Sequence, residues 1–478
     1  MRHSRRSVLF VIVALAFCAA QARAQKTIPA LFVSDIHFDP FHDPDRVKDL
    51  AAAPAAQWPK LLAAPTSDGQ AAAFDSLQKT CKARGIDTPY ALFDSALKAM
   101  HDRQPDAKFM IVSGDLIAHA FPCRYAAIFP NAAPGDYQAF VVKTIGFVVS
   151  QLRTGFPGMP VYVALGNNDS GCGDYKLDAN STFFTQTAQI IAGALPTSRR
   201  KEVLEDFGPG GYYSVAMSEP MRNTRLIALN DNLLSPKYST CAGRPDPAAA
   251  AAELAWLQAQ LASARAAHEK VWVFGHIPTG VDPYSTVAKF RNVCAGQSPT
   301  EFLSSDQMAD TLANAGDIIR LGIFGHTHMD EMRLLTHGAD SATTPKQVPI
   351  KIVSSISPVD GNIPSFTIAR VSPATAVLID YDVVEASNQT GIATTWKTEY
   401  NYAATYNQLD FSPAALTKLM AGFKADPKAA TTTSAAYIHN YFVGDMSREI
   451  SPFWPEYVCA VGNYTAKDFA ACVCPAAK

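Results

Sequence analysis

Aspartate and histidine residues recur in pairs at the ends of apolar segments of this sequence. Asp35 and His37 follow the first apolar segment and are separated by one residue. His326 and His328 follow a later segment with the same spacing. With one residue between them, both side chains of a pair can reach the same small site from a single tight loop. Carboxylates, imidazoles and amide oxygens are ligands of first-row metal ions in proteins. The pairs therefore predict metal binding.

Three further apolar segments end in a residue of the same kind. The complete set of candidate ligands is Asp35, His37, Asp115, Asn167, His276, His326 and His328. Seven ligands are too many for one tetrahedral ion, but they suit two ions that share a bridging carboxylate. One such motif would be weak evidence. Five motifs in chain order, each closing an apolar segment, are much harder to obtain by chance.

Strands must bring these ligands together. Apolar, β-rich segments occur at residues 28–37, 107–115, 160–169, 225–231, 270–276 and 319–328. Helical patterns lie between them, as at residues 90–103 and 248–270. This alternation predicts an α/β protein whose strands are covered on both faces, with ligands beyond the carboxyl ends of the strands. VPIKIVSSIS and TAVLIDYDVV predict further strands in a second sheet region.

The chain divides into three predicted parts. Residues 1–24 combine a basic start, a short apolar run and the small-x-small pattern Ala22-Arg23-Ala24, which predicts a signal peptide cleaved before Gln25. Residues 25–389 form the predicted catalytic domain. From about residue 390 the sequence no longer shows regular strand-like apolar segments, and residues 412–426 and 432–443 have helical patterns. A helical, cysteine-containing region is therefore predicted for residues 390–478.

Export to the periplasm or the medium fits the remaining composition. Cleavage changes the formal net charge from -2 to -6 and leaves eight of nine cysteines. The mild acidity argues against general binding to nucleic acid. An even number of cysteines in an exported chain predicts disulfides. Cys472 and Cys474, near Cys459, predict a staple for the C-terminal tail, with the pairing left open.

The motifs as a set resemble a known superfamily. DIH, GDLIAH, GNND, GH and GHTH are similar, in order, to the motifs of calcineurin-like metallophosphoesterases over residues 28–385. SDIHFDPFH, GIDTPYALFDSAL, GHTHMDE and ISPVDGNIPSF resemble the acid sphingomyelinase-like phosphodiesterase branch. GNND, with its second asparagine, resembles the related endopolyphosphatases instead.

The resemblance implies a four-layer α/β/β/α sandwich with two metal ions. By that similarity, Asp35, His37 and His328 hold one ion, whereas Asn167, His276 and His326 hold the other, and Asp115 bridges. The ions are typically zinc in this branch, with manganese or iron as alternatives. The implied reaction is attack on a phosphodiester by a hydroxide that bridges the two ions.

The residue that protonates the leaving group is the point at which this sequence departs from the superfamily. Asn168 stands where the superfamily usually has histidine, and Ala118 stands where that histidine has an aspartate partner. An amide can hydrogen-bond a phosphate oxygen but is no general acid near neutral pH. His119 is the remaining candidate acid, with orientation of a metal ligand as the equal alternative.

These motifs predict an exported phosphodiesterase acting on sphingomyelin, another phosphocholine ester or a nucleotide. The alternatives are an endopolyphosphatase or other phosphoanhydride hydrolase, an acid phosphomonoesterase, and a non-catalytic phosphate-binding protein. No nucleic-acid or obligate protein partner is expected. The aromatic residues of the tail are predicted to pack onto the core, with transient contact to a membrane surface as the alternative.

Overall fold

The computed structural model describes residues 26–338, 345–444 and 450–474, so the predicted signal peptide lies outside the described residues. The strands are β1 Ile28–Val33, β2 Met110–Val112, β3 Val161–Val163, β4 Tyr213–Ala216, β5 Thr224–Ala228, β6 Lys270–Phe274, β7 Ile319–Phe324, β8 Glu331–His337, β9 Lys346–Ile352, β10 Ser365–Val371, β11 Leu378–Ala386 and β12 Trp396–Asn401. The α-helices are α1 Val47–Ala52, α2 Trp58–Leu62, α3 Gln70–Thr80, α4 Tyr90–Arg103, α5 Phe121–Ile128, α6 Asp136–Gly155, α7 Thr182–Gly193, α8 Arg200–Asp206, α9 Pro247–Ala266, α10 Pro283–Ala288, α11 Gln307–Asn314, α12 Tyr402–Tyr406, α13 Pro413–Lys424, α14 Thr432–Tyr441, α15 Trp454–Gly462 and α16 Ala466–Val473.

Within the described residues the strands form two six-stranded sheets. The first has the order β12-β11-β10-β1-β2-β3, and the second has the order β4-β5-β6-β7-β9-β8. The strands that precede the candidate ligands are parallel neighbours, β1 with β2 and β3 in one sheet and β6 with β7 in the other. Their carboxyl ends therefore meet at one edge of each sheet.

Side-chain alternation along β6 shows how the layers stack. Val271 and Val273 face α9 and α11 in one hydrophobic cluster, whereas Trp272 and Phe274 belong to the cluster that includes the first sheet. The Trp272 ring meets the Phe32 ring of β1 edge to face, with 6.0 Å between centroids. Helices α4 and α6 belong to the same cluster as the first sheet. The four-layer α/β/β/α sandwich is therefore confirmed.

Two details of the predicted strands need correction. The strands predicted from VPIKIVSSIS and TAVLIDYDVV lie in different sheets, because β9 pairs with β7 whereas β11 pairs with β10. The strand pattern also continues beyond residue 390, since β12 pairs with β11 at the edge of the first sheet. The sequence WKTEYN of β12 lacks an apolar run because this edge strand is largely solvent-accessible.

The C-terminal region is helical after β12, and the aromatic residues of the tail pack onto the core as predicted, with the exception of the exposed Phe453. Tyr437, Tyr441, Trp454 and Tyr457 are buried in the cluster that contains the first sheet. All eight cysteines of the described residues are paired, as Cys81–Cys123, Cys172–Cys241, Cys294–Cys474 and Cys459–Cys472. The last two staple the tail. Among the described helices, none is long and apolar enough for a membrane span.

Candidate metal centre

The seven candidate ligands converge where the carboxyl ends of strands from the two sheets meet. One donor set comprises Asp35, His37 and His328. The Nε2 atoms of His37 and His328 are 3.2 Å apart, and His328 Nε2 lies 3.3 Å from Asp35 Oδ1. His37 Nε2 is also 3.4 Å from Asp115 Oδ2. Four donor atoms, from the ends of β1 and β2 and from the loop after β7, therefore face one small volume.

A second donor set adjoins the first. His276 Nε2 lies 3.1 Å from Asn167 Oδ1 and 3.3 Å from His326 Nδ1. It is also 3.2 Å from Asp115 Oδ2, the same oxygen that faces His37. Asp115 is thus shared by both sets, which is the position expected for a bridging carboxylate.

The donor spacing fits metal ions. A tetrahedral ion with bonds of about 2.0–2.1 Å separates its ligands by roughly 3.3 Å along each edge. The closest donor pairs within the two sets are 3.1 to 3.4 Å apart. Asp35 Oδ1 is buried and has no hydrogen-bond partner, a costly state for a carboxylate oxygen unless a cation is bound. The described residues therefore fit two cations that share Asp115.

Backbone carbonyls orient the imidazoles. His37 Nδ1 lies 3.0 Å from the Ile117 carbonyl oxygen, and His276 Nδ1 lies 2.8 Å from that of Ser113. A carbonyl only accepts, so each Nδ1 carries a proton, and in the neutral imidazole each Nε2 has the lone pair that would bind a cation.

The backbone at the candidate ligands is unusual. Asp35, His37, Asp115, His326 and His328 all have positive φ, between 43° and 71°. Left-handed backbone costs a residue with a Cβ of order 1 kcal/mol or more and persists only where the surroundings fix it. Five such residues at one centre indicate loops shaped for ligand placement.

Two buried aspartates that the sequence analysis did not assign fix these loops. Asp169 accepts hydrogen bonds from the amides of Gly166, Leu116 and Ile117, which joins the Asn167 loop to the Asp115 loop. Asp231 accepts from the amides of His276 and Ile277. Each residue ends an apolar segment in the sequence, which was the available signal.

Asn168 turns toward Asp115 rather than toward open space. Its side-chain amide donates to Asp115 Oδ2 and its backbone amide donates to Asp115 Oδ1, both at 2.8 Å. The residue is buried and does not line the cleft over the centre. In this geometry the two amide groups of Asn168 orient the shared carboxylate.

His119 lies beside the first donor set. Its ring stacks on that of His37 with 3.9 Å between centroids, and its Nδ1 lies 2.8 Å from Asp87 Oδ1. Asp87 also accepts from the His119 backbone amide and is paired with the buried Arg124. Asp87 comes from GIDTPY, one of the motifs that carry the family resemblance. With Nδ1 bound to Asp87, Nε2 is the ring nitrogen that can give up a proton.

Electrostatics differ between the imidazoles of the protein without metal. Burial lowers the pKa of His37 and of His276, but Asp115, Asp35 and other nearby carboxylates together outweigh burial and raise these pKa values to about 9 and about 10. Burial and the neighbouring His276 cation lower the pKa of His326 to about 3. Burial and the His37 cation also lower the pKa of His119, against the effect of Asp87. A dense set of buried, mutually perturbed groups is typical of functional sites.

A cleft of about 440 Å³ opens over the donor sets. Its lining includes two cationic side chains, Arg84 and Lys237, and carboxylates such as Asp174 and Asp360. Aromatic residues of the α10 segment and the C-terminal region, Tyr284, Tyr441 and Phe442, complete the walls. The cleft therefore offers both charge and apolar surface to a bound molecule.

Comparisons with known proteins identify the family of this chain. The family model of calcineurin-like phosphoesterases matches residues 28–330. The chain belongs to the calcineurin-like phosphoesterase family, and it is a phosphoester hydrolase.

Its curated relatives are named phosphodiesterases. The chain is 26% identical over 407 residues to the cyclic GMP-AMP phosphodiesterase SMPDL3A of Mus musculus, covering 81% of this chain and 82% of that protein. It is 25% identical over 455 residues to the acid sphingomyelinase-like phosphodiesterase 3b of Mus musculus, covering 92% and 89%. A dimetal phosphatase structure from Danio rerio aligns with 12% identity and a TM-score of 0.39, covering 78% of this chain and 99% of that one. The predicted calcineurin-like family is thus confirmed, and a relative from the predicted acid sphingomyelinase-like branch is among the proteins that this chain resembles.

Proposed function

We propose that this chain is an exported phosphodiesterase that works with two divalent metal ions. Asp35, His37 and His328 would hold one ion, and Asn167, His276 and His326 would hold the other. The observation that carries the proposal is the sharing of Asp115 Oδ2, which faces His37 at 3.4 Å and His276 at 3.2 Å. Imidazole-rich donor sets favour zinc, with manganese or iron as alternatives.

The metal ions, when bound, would supply positive charge to the phosphate oxygens and lower the pKa of a water molecule that serves as nucleophile. The protein would supply the remaining chemistry. His119, oriented by Asp87, would give the proton from Nε2 to the leaving-group oxygen. Asn168 would hold Asp115 in its shared position. The cleft would orient the substrate and limit the access of water.

Export is supported by the predicted signal peptide and by the four disulfides of the described residues. A phosphodiester substrate is supported by the names of the relatives, which include a cyclic GMP-AMP phosphodiesterase and acid sphingomyelinase-like phosphodiesterases. Sphingomyelin, another phosphocholine ester or a nucleotide would each present such a bond to the centre.

Hydrolysis of phosphoanhydrides is the second candidate function. It is favoured by the inward orientation of Asn168, because neither Asn168 nor Ala118 can serve as the usual acid pair. A phosphoanhydride has a better leaving group and depends less on protonation.

A side-by-side assay tests these proposals. The exported chain, supplied with zinc or manganese, would be compared on sphingomyelin, bis(4-nitrophenyl) phosphate, 4-nitrophenyl phosphate and long-chain polyphosphate. Faster turnover of the diester than of the monoester is the expected result. Turnover of the monoester alone would contradict phosphodiesterase activity, and shortening of polyphosphate with both diesters untouched would establish the second candidate.

A further inference from the structure

The two cations of the cleft are not equivalent. The Arg84 guanidinium forms an ion pair with Asp360, so its charge is largely neutralised. Lys237 forms no ion pair with any carboxylate of the described residues, and its Nζ atom contacts the Tyr175 hydroxyl at 3.4 Å. Burial raises the pKa of Asp174, with Asn167 and Lys237 acting against it, and Asp174 Oδ1 accepts a hydrogen bond from Asn167. Lys237 is thus a cleft cation with charge available to a ligand.

Lys237 is attached to the ligand loop rather than free on the surface. Its ammonium lies 4.8 Å from the centroid of the buried Tyr175 ring. The Tyr175 backbone amide donates to the Asn167 carbonyl, and its carbonyl accepts from the Ser239 amide. The Cys172–Cys241 disulfide closes the two segments around these contacts. The position of Lys237 is therefore fixed relative to Asn167.

Tyr175 connects Lys237 to the second donor set. The Tyr175 hydroxyl lies 3.4 Å from His326 Nε2 as well as 3.4 Å from Lys237 Nζ. On the opposite side of the centre, His119 stacks on His37 of the first set. Among the described lining residues, Lys237, the cationic side chain without a carboxylate partner, thus lies on the His326 side of the cleft.

We propose that Lys237 and the Tyr175 hydroxyl form an anion subsite beside His326, which binds a second phosphate group adjacent to the phosphate that is hydrolysed. An ammonium and a hydroxyl both donate hydrogen bonds to phosphate oxygens. A phosphate also needs nearby positive charge, which Lys237 supplies because the charge of Arg84 is largely neutralised by Asp360. The subsite favours substrates with two linked phosphates over diesters with a single phosphorus. This inference rests on the proposed function, since the subsite lies beside the phosphate that the proposed reaction hydrolyses.

Substitution of Lys237 tests the subsite. Lys237→Met should raise KM for ADP by about tenfold, the effect expected for one charge-assisted hydrogen bond, and leave kcat/KM for bis(4-nitrophenyl) phosphate nearly unchanged. Competitive inhibition by inorganic pyrophosphate should weaken about tenfold, and inhibition by orthophosphate should not. Lys237→Arg should recover most of the pyrophosphate binding. Lys201→Met on α8, where the lysine is 84% exposed, is the matched control.

The outcomes separate this inference from the proposed function. Equal effects of Lys237→Met on both substrates, or unchanged inhibition by pyrophosphate, would overturn the subsite. If the wild-type chain hydrolyses neither substrate but binds pyrophosphate in a Lys237-dependent manner, the subsite stands and the proposed function fails. Metal content measured on each variant must equal that of the wild type, because Tyr175 contacts His326. Tyr175→Phe should give a smaller loss of pyrophosphate binding than Lys237→Met.

Discussion

At the scale of single residues, the centre depends on carboxylates that accept hydrogen bonds from backbone amides. Gly275 precedes His276, and a Cβ atom at Gly275 would lie 2.2 Å from Asp231 Oδ2. Gly166 precedes Asn167, and a Cβ atom at Gly166 would lie 2.1 Å from Asp115 Oδ1. The glycines of the GN and GH motifs are therefore required because a carboxylate occupies the space next to them.

Gly275→Ala should displace Asp231 and with it His276. We expect a loss of about 1–3 kcal/mol in the free energy of unfolding from the forced contact, measured by urea denaturation, and a reduced metal content. Gly193→Ala, at the end of α7, is the matched control, because apart from its chain neighbours and the backbone of its own helix no atom lies within 4 Å of its Cβ position. It should be neutral or slightly stabilising. Full metal retention in Gly275→Ala would contradict the proposed role of Asp231.

Asp87→Asn should slow hydrolysis by about 10–100-fold, because His119 loses the partner that orients it. The loss should be greater for substrates with poor leaving groups, which depend more on protonation. His119→Ala should show the same dependence on the leaving group. The control is Asp102→Asn, since Asp102 lies beside His101 in an exposed pair. Equal losses across a series of leaving groups, with unchanged metal content, would argue against proton donation by His119.

At the scale of elements, the strand ends were the part of the site that sequence could predict. Each of the seven candidate ligands follows a strand within a few residues, and parallel neighbours bring such positions together. Helices with strong local patterns could be predicted equally well, and α4 spans residues 90–103 as predicted. Strand β12 was missed because an exposed edge strand needs no apolar run.

The roles of the supporting residues could not be predicted, because these roles depend on contacts between distant segments. Asp87 meets His119 across 32 positions and Asp231 meets His276 across 45 positions. Asp87 lies in the GIDTPY motif, but nothing local in the sequence shows that it meets His119. The role of Lys237 likewise depends on its contact with Tyr175. The orientation of Asn168 was likewise decided by the position of Asp115.

The disulfide between the loops that carry Asn167 and Lys237 should matter for activity as well as for stability. Replacing Cys172 and Cys241 together by serine should cost roughly 4 kcal/mol in the chain-entropy model and raise KM, because Tyr175 and Lys237 would lose their restraint. The control is the double serine variant of Cys459 and Cys472, with a separation of 13 residues, which should cost roughly 3 kcal/mol. We expect unchanged KM in the control. Identical KM values in both variants would contradict a role for the first disulfide in the cleft.

At the scale of the whole molecule, the C-terminal helices share the core with the first sheet. Trp454 is 1% exposed and packs against Phe423 and Tyr437, whereas its neighbour Phe453 is 39% exposed. Tyr441 and Phe442 of this region also line the cleft. Residues 390–478 are therefore proposed to unfold together with the catalytic region rather than as an independent domain.

Trp454→Ala should lower the free energy of unfolding by about 3–5 kcal/mol, as expected for a large side chain removed from a core. Phe453→Ala is the adjacent control and should cost less than about 1 kcal/mol. Urea unfolding followed by circular dichroism and by activity should give coincident transitions in both variants. A separate early transition in Trp454→Ala, with activity retained, would show that the tail folds on its own.

The central claim is that two metal ions bound through a shared Asp115 carry out phosphodiester hydrolysis. Its most direct test is metal analysis of the exported chain alongside turnover of bis(4-nitrophenyl) phosphate, before and after chelation and with Asp115→Asn. We expect close to two divalent ions per chain, loss of turnover on chelation, recovery on adding zinc or manganese, and neither full metal content nor turnover in Asp115→Asn. Turnover by a chelated, metal-free chain, or by Asp115→Asn at the wild-type rate, would contradict the account.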